Sequence, residues 1–229
     1  MSEITSSIFV IVPCYNEATV IRDTVGRLLA KGYQVVVVDD ASLDNTKDSL
    51  SGLAVYYIRH EVNLGQGAAL QTGIEFALQA GAARLVTFDA DGQHDVNDIA
   101  LMMELLDKEK AGIVFGSRFL TGASANISLS RKIVLRSARL VNYFASGILL
   151  TDANNGLRVM TRDAALKMQI TENRSTHSAQ IQDMVRQNRI SYAECPVNIS
   201  YTDYSRRKGL KNIASIRILY EMILFKIFR

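Results

Sequence analysis

The chain reads as an α/β fold: a mostly parallel central sheet with helices on both faces, followed by a C-terminal amphipathic helix. Three observations predict it. Short apolar, β-branched runs alternate with stretches of helical spacing through the first half, the pattern of a parallel sheet buried on both sides. Acidic loops follow three of those runs, at the strand ends where ligands bind in such sheets. The 229 residues suit one compact domain with a sizeable core.

Taken in order, Ile8–Val12 is the first buried strand, ending at Pro13-Cys14-Tyr15-Asn16-Glu17, and Val20–Leu29 has helical spacing. Val35–Val38 is the second strand and ends in Asp39-Asp40. Val55–Ile58 is a third buried strand, and Asn63-Leu64-Gly65-Gln66-Gly67 leads into a helix over Ala68–Ala80. Leu85–Phe88 is the fourth strand, closed by Asp89-Ala90-Asp91-Gly92-Gln93-His94. A helix over Ile99–Leu106 and a fifth strand over Ile113–Phe115 follow. The second half is less regular: helices over Arg131–Leu150 and Ser178–Gln187, a strand over Glu194–Tyr201 and a basic turn over Ser205–Gly209. No repeat, linker or low-complexity tract divides the chain, so residues 1–211 are read as one domain and residues 212–229 as an appended helix.

Hydrophobic residues make up 48% and charged residues 21%, which places the chain among globular proteins. A net charge of +3 implies no nucleic-acid partner. Cations dominate from Arg206 onward, where Glu221 is the one acid, and such a tail favours phosphates or acidic headgroups. The two cysteines, Cys14 and Cys195, form neither a disulfide framework nor a metal spacing. There is no signal-peptide pattern and no apolar run of the ~20 residues that span a bilayer. The expectation is a cytoplasmic protein, peripheral on the membrane face. The apolar face over Ile213–Phe228 is wide enough for core packing, a homo-oligomer contact or membrane-surface attachment.

Asp89 and Asp91 are the strongest site candidates. Two carboxylates separated by one residue can share a hard divalent ion, with Gln93 or water adding oxygen. Such an ion also ligates a diphosphate and offsets charge on a leaving group. Asp39 and Asp40 can accept hydrogen bonds from a base or ribose, or cap the next segment; Ser42, Asp44 and Thr46 read as local caps. The Gly65–Gly67 turn either exposes backbone N–H groups to phosphate or packs closely against the sheet. It is neither a P-loop nor a dinucleotide fingerprint. Arg118, Arg131, Arg158, Arg206, Arg207 and Lys208 lie in or near loops, and convergence of several would make a phosphate site. Arg118 reads as an exposed loop arginine whose removal weakens catalysis more than stability.

In this order and spacing, Val12-Pro13-Cys14-Tyr15-Asn16-Glu17, Val38-Asp39-Asp40-Ala41-Ser42-Leu43-Asp44-Asn45-Thr46, Asn63-Leu64-Gly65-Gln66-Gly67, Asp89-Ala90-Asp91-Gly92-Gln93-His94, Gly116-Ser117-Arg118 and Asp152-Ala153-Asn154-Asn155-Gly156-Leu157-Arg158 resemble family 2 glycosyltransferases of the dolichol-phosphate mannose synthase type, which have the GT-A fold. The likeness runs from Ile8 to about Lys211. It implies that Pro13, Tyr15, Glu17, Val38 and Asp40 hold base and ribose. It implies Asp89, Ala90 and Asp91 at the diphosphate and a Mg²⁺ or Mn²⁺ ion, with Gln93 as a further ligand. Arg118 and Lys208 would bind phosphate, and Arg131 would face the reacting centre. The implied reaction moves one sugar, with inversion, from a GDP- or UDP-sugar to a polyprenyl phosphate. The catalytic residues are then Asp91, Arg118 and Arg131. Two positions depart from relatives: Thr202 stands where an arginine is common, and Gln180 where a glutamate is common. A glutamine cannot act as a base. Transfer to a soluble hydroxyl and nucleotide-sugar binding without turnover are the alternatives.

Overall fold

The computed structural model describes residues 7–120, 143, 147, 148, 150–173 and 176–200. Arg131, Thr202, Arg206, Arg207, Lys208 and residues 212–229 lie outside them, as does most of the helix expected over Arg131–Leu150. Seven strands among the described residues form one sheet: β1 Ile8–Cys14, β2 Gln34–Asp39, β3 Tyr56–Arg59, β4 Arg84–Thr87, β5 Ile113–Ser117, β6 Arg158–Thr161 and β7 Tyr192–Pro196. Their spatial order is β3-β2-β1-β4-β6-β5-β7. Every neighbouring pair is parallel except those made by β6, which runs antiparallel between β4 and β5. The described helices are α1 Ile21–Ala30, α2 Thr46–Ser49, α3 Gln66–Gln79, α4 Asp98–Lys108, α5 Arg162–Ala165 and α6 His177–Gln187.

Side chains of successive strand residues point to opposite faces, and each face has its own core. Val10, Val12, Val35, Val37 and Val86 pack with Ile21, Val25 and Leu28 of α1 and Ile99, Met102 and Leu106 of α4. Phe9, Ile11, Val36, Val38 and Leu85 pack with Leu70 and Ile74 of α3 and Ile181 and Val185 of α6. This two-sided burial explains why β1 is buried over its full length and why its sequence is a continuous apolar run rather than an alternating one.

Three expectations need correction. The third strand is not buried: β3 is an edge strand, with Tyr56 and Arg59 exposed and Tyr57 and Ile58 half-buried. β6 has no counterpart in the sequence reading, because a four-residue run opened by an arginine does not look like a buried strand. It is one nonetheless, and Arg158, read as a loop cation, is 2% exposed. The last strand starts at Tyr192 and stops at Pro196, and Ile199 makes only an isolated bridge to His94. The other expected elements that lie within the described residues fall within two residues of their expected ends, whereas the short helices α2 and α5 have no counterpart in the expected pattern.

Candidate donor and metal site

The carboxyl ends of β1, β2 and β4 lie side by side, so the loops after them share one edge of the sheet. The loops after β1 and β2 are stitched together. The Asn16 N–H donates to Ser42 Oγ at 2.9 Å, the Leu43 N–H to Asn16 Oδ1 at 2.8 Å, and the Glu17 N–H to Thr46 Oγ1 at 2.9 Å. Asn16 and Ala41 hold left-handed backbone, with φ of 55° and 62°, a conformation that non-glycine residues adopt seldom and at functional loops more than elsewhere. The Glu17 carbonyl accepts from Val20 and Ile21 and opens α1. Ser42, Asp44 and Thr46 are thus structural, but as bridges between the two loops and not as the local caps expected: the helix over Thr46–Ser49 has Asn45 at its N-cap and no side-chain cap bond, and Asp44 accepts from the Ala18 N–H at 3.1 Å.

Asp89 and Asp91 follow β4 directly. Asp89 is gripped on both oxygens: Gln66 Nε2 donates to Oδ1 at 3.1 Å, and His94 Nε2 lies 3.1 Å from Oδ2. Gly156 fits flush against the same carboxylate, since a Cβ there would stand 2.1 Å from Oδ2. Burial alone would raise the Asp89 pKa. The His94 hydrogen bond and the charges of His94, Arg158 and His177 outweigh it and hold the carboxyl below its usual range. Asp91 behaves oppositely: burial first, then the Asp89 charge, pushes it up to about 6, with Glu17 adding to the rise. Two neighbouring carboxylates with opposite shifts mark a site short of positive charge. Gln93 donates from its backbone N–H to Asp91 Oδ1 at 3.1 Å and from Nε2 to Oδ2 at 2.7 Å. Turning that amide over presents Oε1 instead.

This donor set suits a hard divalent cation. Among the described residues no three His, Cys, Asp or Glu side chains form a metal cluster by themselves. Asp89, Asp91 and the Gln93 amide supply part of an oxygen shell, as for an ion that takes its remaining oxygens from water and a substrate diphosphate. His94 faces Asp89 through Nε2, and its buried Nδ1 has no partner among the described residues, so it orients the carboxylate.

The remaining site residues divide. Tyr15 is exposed at the sheet edge, and Glu17 is buried beside the Asp pair. Pro13 and Val38 face each other in the β1–β2 register. Val38 is fully buried in the core against α3, so its side chain presents nothing at the edge. Asp40 is 3% exposed. Its carboxylate accepts from the Leu64 and Gly65 N–H groups at 2.9 and 2.7 Å and pairs with His60 Nδ1 at 2.8 Å. A carboxylate has about four lone-pair positions, and Asp40 spends three on its own chain. Asp39 is likewise internal, bonded to Ser42, Tyr57 and Arg59. The two glycine N–H groups of the Gly65–Gly67 turn serve packing, because Gly65 donates to Asp40 and Gly67 to the Asn173 carbonyl at 2.9 Å.

Arg118 is not the exposed loop arginine expected. Its side chain is 11% exposed and forks onto buried Asp152, with Nε to Oδ2 and Nη2 to Oδ1 both at 2.6 Å. Arg158 lies beneath the site. Its Nη2 donates to Ser178 Oγ at 3.1 Å; burial lowers its pKa to about 10, resisted by the charges of Asp89 and Asp152. Gln66, Asp152, Gly156 and His177 also belong to this constellation without having been singled out as site residues. Three of them stand inside or beside motifs whose order was legible, but nothing in the order says which side chains meet Asp89.

The family model described as "Glycosyl transferase family 2" matches residues 9–168. A UDP-N-acetylglucosamine–dolichyl-phosphate N-acetylglucosaminyltransferase of Methanococcus voltae is 30% identical over 96% of this chain and 96% of its own. An undecaprenyl-phosphate mannosyltransferase of Micrococcus luteus is 32% identical over 68% of this chain and 67% of its own. Among solved structures, glucosyl-3-phosphoglycerate synthase of Mycobacterium tuberculosis, in complex with Mn²⁺ and UDP-glucose, has a TM-score of 0.70 at 15% identity. That match covers 97% of this chain and 78% of that one, and it supports the GT-A fold. From β1 to the helix after β6, with the two aspartates at the end of β4 inside the matched span, the chain belongs to glycosyl transferase family 2.

Proposed function

We propose that this glycosyltransferase moves one sugar, with inversion, from a nucleotide-sugar to a polyprenyl phosphate, assisted by Mg²⁺ or Mn²⁺. The observation that carries the donor half is the Asp89–Asp91 pair, two carboxylates with opposed pKa shifts at the end of β4. The acceptor half rests on relatives named for dolichyl and undecaprenyl phosphate.

Asp89, Asp91 and Gln93 would hold the ion. When bound, it supplies positive charge to the departing nucleoside diphosphate. The chain's own residues do the rest. His94 and Gln66 fix the Asp89 carboxylate, while Tyr15 and Glu17 line the base and ribose side of the edge, where Asp40 has one lone-pair position left for the donor. Asp152 fixes the Arg118 guanidinium. Arg118, Arg131 and Lys208 are proposed phosphate contacts, the last two outside the described residues. A phosphate acceptor is already anionic near neutral pH, so its oxygen attacks the anomeric carbon without a general base, and the sugar–phosphate bond to the donor breaks as the new bond forms. Cations relieve repulsion between the two anionic reactants, and in-line placement supplies much of the remaining acceleration. The buried Gln180, which cannot act as a base, is compatible with such an acceptor.

No helix among the described residues is long and apolar enough to cross a membrane. We place the protein at the cytoplasmic membrane surface through residues 212–229, read as a unit separate from residues 1–211. A labelled panel of GDP- and UDP-sugars, incubated with enzyme, Mn²⁺ or Mg²⁺ and undecaprenyl or dolichyl phosphate, tests the activity. Lipid-linked product is expected; transfer only to a soluble glycan, or no transfer at all, defeats the reading. Liposome flotation with and without residues 212–229 tests the attachment, and equal flotation of both forms refutes it.

A further inference from the structure

Gln180 lies on α6, 5% exposed. Both ends of its side-chain amide are engaged: Oε1 accepts from the Thr171 and Glu172 N–H groups at 3.0 and 2.9 Å, and Nε2 donates to Thr171 Oγ1 at 2.7 Å. The segment it holds lies on the start of α3. The Ile170 N–H donates to Gln71 Oε1 at 2.8 Å, and the Asn173 carbonyl accepts from the Gly67 N–H at 2.9 Å. Contact at Gly67 is so close that a Cβ there would stand 2.0 Å from the Glu172 carbonyl oxygen. The residue before Gly67 is Gln66, whose Nε2 reaches Asp89 Oδ1 at 3.1 Å. Gln66 is exposed, so packing does not hold its side chain in place. What fixes its reach is the backbone from which it springs, and that backbone is clamped by residues 170–173.

We propose that Gln180 is a positioning residue for Asp89: by clipping Thr171 and Glu172 it fixes the first turn of α3 and so delivers the Gln66 amide onto Asp89 Oδ1. The inference rests on the reading of Asp89 as a ligand of the divalent ion. With Gln66 on one oxygen and His94 on the other, the carboxylate cannot rotate, and each oxygen keeps a lone pair for the ion. Outer partners that orient a ligating carboxylate in this way tune metal affinity strongly. A glutamate at 180 keeps an oxygen that accepts from the two backbone N–H groups, and Thr171 Oγ can then donate to it, whereas an alanine loses the clip.

The test is Mn²⁺ titration of the full chain, followed by loss of the free-ion electron paramagnetic resonance signal, with UDP and separately GDP present. Q66A and Q180A should each weaken Mn²⁺ binding about tenfold, the lower end for loss of a partner that orients a metal ligand. The double variant Q66A/Q180A should be no weaker than the worse single variant, because both act on one path. Q180E should bind Mn²⁺ close to wild type. Q66A changes a surface side chain and should fold, so wild-type Mn²⁺ affinity in Q66A overturns the proposal even if Q180A unfolds. Full additivity in the double variant overturns it as well. D89N separates the two readings. Unchanged Mn²⁺ binding in D89N removes the role of Asp89 itself. Lost binding in D89N with wild-type binding in Q66A and Q180A removes the relay alone.

Discussion

Gly156 and Asp89 touch: the carboxylate of Asp89 occupies the space that any side chain at 156 would need, with its Oδ2 2.1 Å from where a Cβ would be. The Gly156 carbonyl is in turn held by Thr87 Oγ1 at 2.6 Å, so the backbone cannot easily retreat. Gly156→Ala should displace Asp89 and reduce sugar transfer by at least about tenfold, in line with a disturbed metal-ligand orientation. Overpacking of this kind should also cost about 1–3 kcal/mol of stability. Transfer assays and chemical denaturation read the two effects, and wild-type turnover in this variant would refute the placement of Asp89.

The pair's opposed shifts give a pH signature. The Asp91 carboxyl is raised from 3.8 to about 6 by burial and the charges of Asp89 and Glu17. A group that holds its proton more tightly when folded contributes stability below its unfolded pKa and loses it as pH rises through the folded value. The ion-free protein should therefore lose this contribution as pH climbs toward 6, while the lowered Asp89 acts with the opposite sign. Subtracting the Asp91→Asn melting curve from the wild-type one isolates Asp91, and a flat difference would contradict the shift. Mn²⁺ binding should strengthen over the same window, because the ion displaces the proton.

Asp91→Ala should abolish transfer and metal-dependent nucleotide binding while leaving the fold intact. The change removes one of two mutually repelling carboxylates, so the melting temperature of the ion-free protein at neutral pH should hold or rise. Unchanged activity would sink the metal assignment.

Arg118→Ala should destabilise the protein as well as impair it. The change strands the Asp152 carboxylate, which is 1% exposed, and breaking a buried pair in this way costs about 3–5 kcal/mol. Arg118→Lys keeps the charge but loses the fork, so it should fall between wild type and alanine. Urea denaturation of the three proteins checks the order.

Arg158→Met replaces a fully buried cation by an apolar side chain of comparable length. Asp89 and Asp152 then lose a counter-charge, and Asp89 should titrate higher than in the wild type. The readout is the pH dependence of Mn²⁺ binding, whose acidic limb should move upward. An unmoved limb would show that Arg158 serves packing alone.

Much of this was written along the chain. Apolar runs such as Val35–Val38 can only be buried on two sides, and the acids after them fall at the ligand edge because strands in parallel sheets end together. Local chemistry was legible too: Asp44 bonds the Thr46 N–H, and Asp89 and Asp91 pair, because these relations span only two residues. β6 was not legible, since Arg158 opens it and an arginine signals solvent until a buried partner is known.

The parallel strands β1, β2, β4 and β5, the order of the motifs and the loop that bears the two aspartates are written in the residues themselves. Packing alone brings the distant groups to them: Gln66, Gly156 and Arg158 around Asp89, Asp152 on Arg118, and Gln180 behind the α3 turn. The physical reason is that strand formation and capping depend on neighbours a few residues apart. The charge and orientation of a carboxylate depend instead on groups brought within hydrogen-bond or Coulombic reach by packing, from positions as far apart as Gln66 and Arg158.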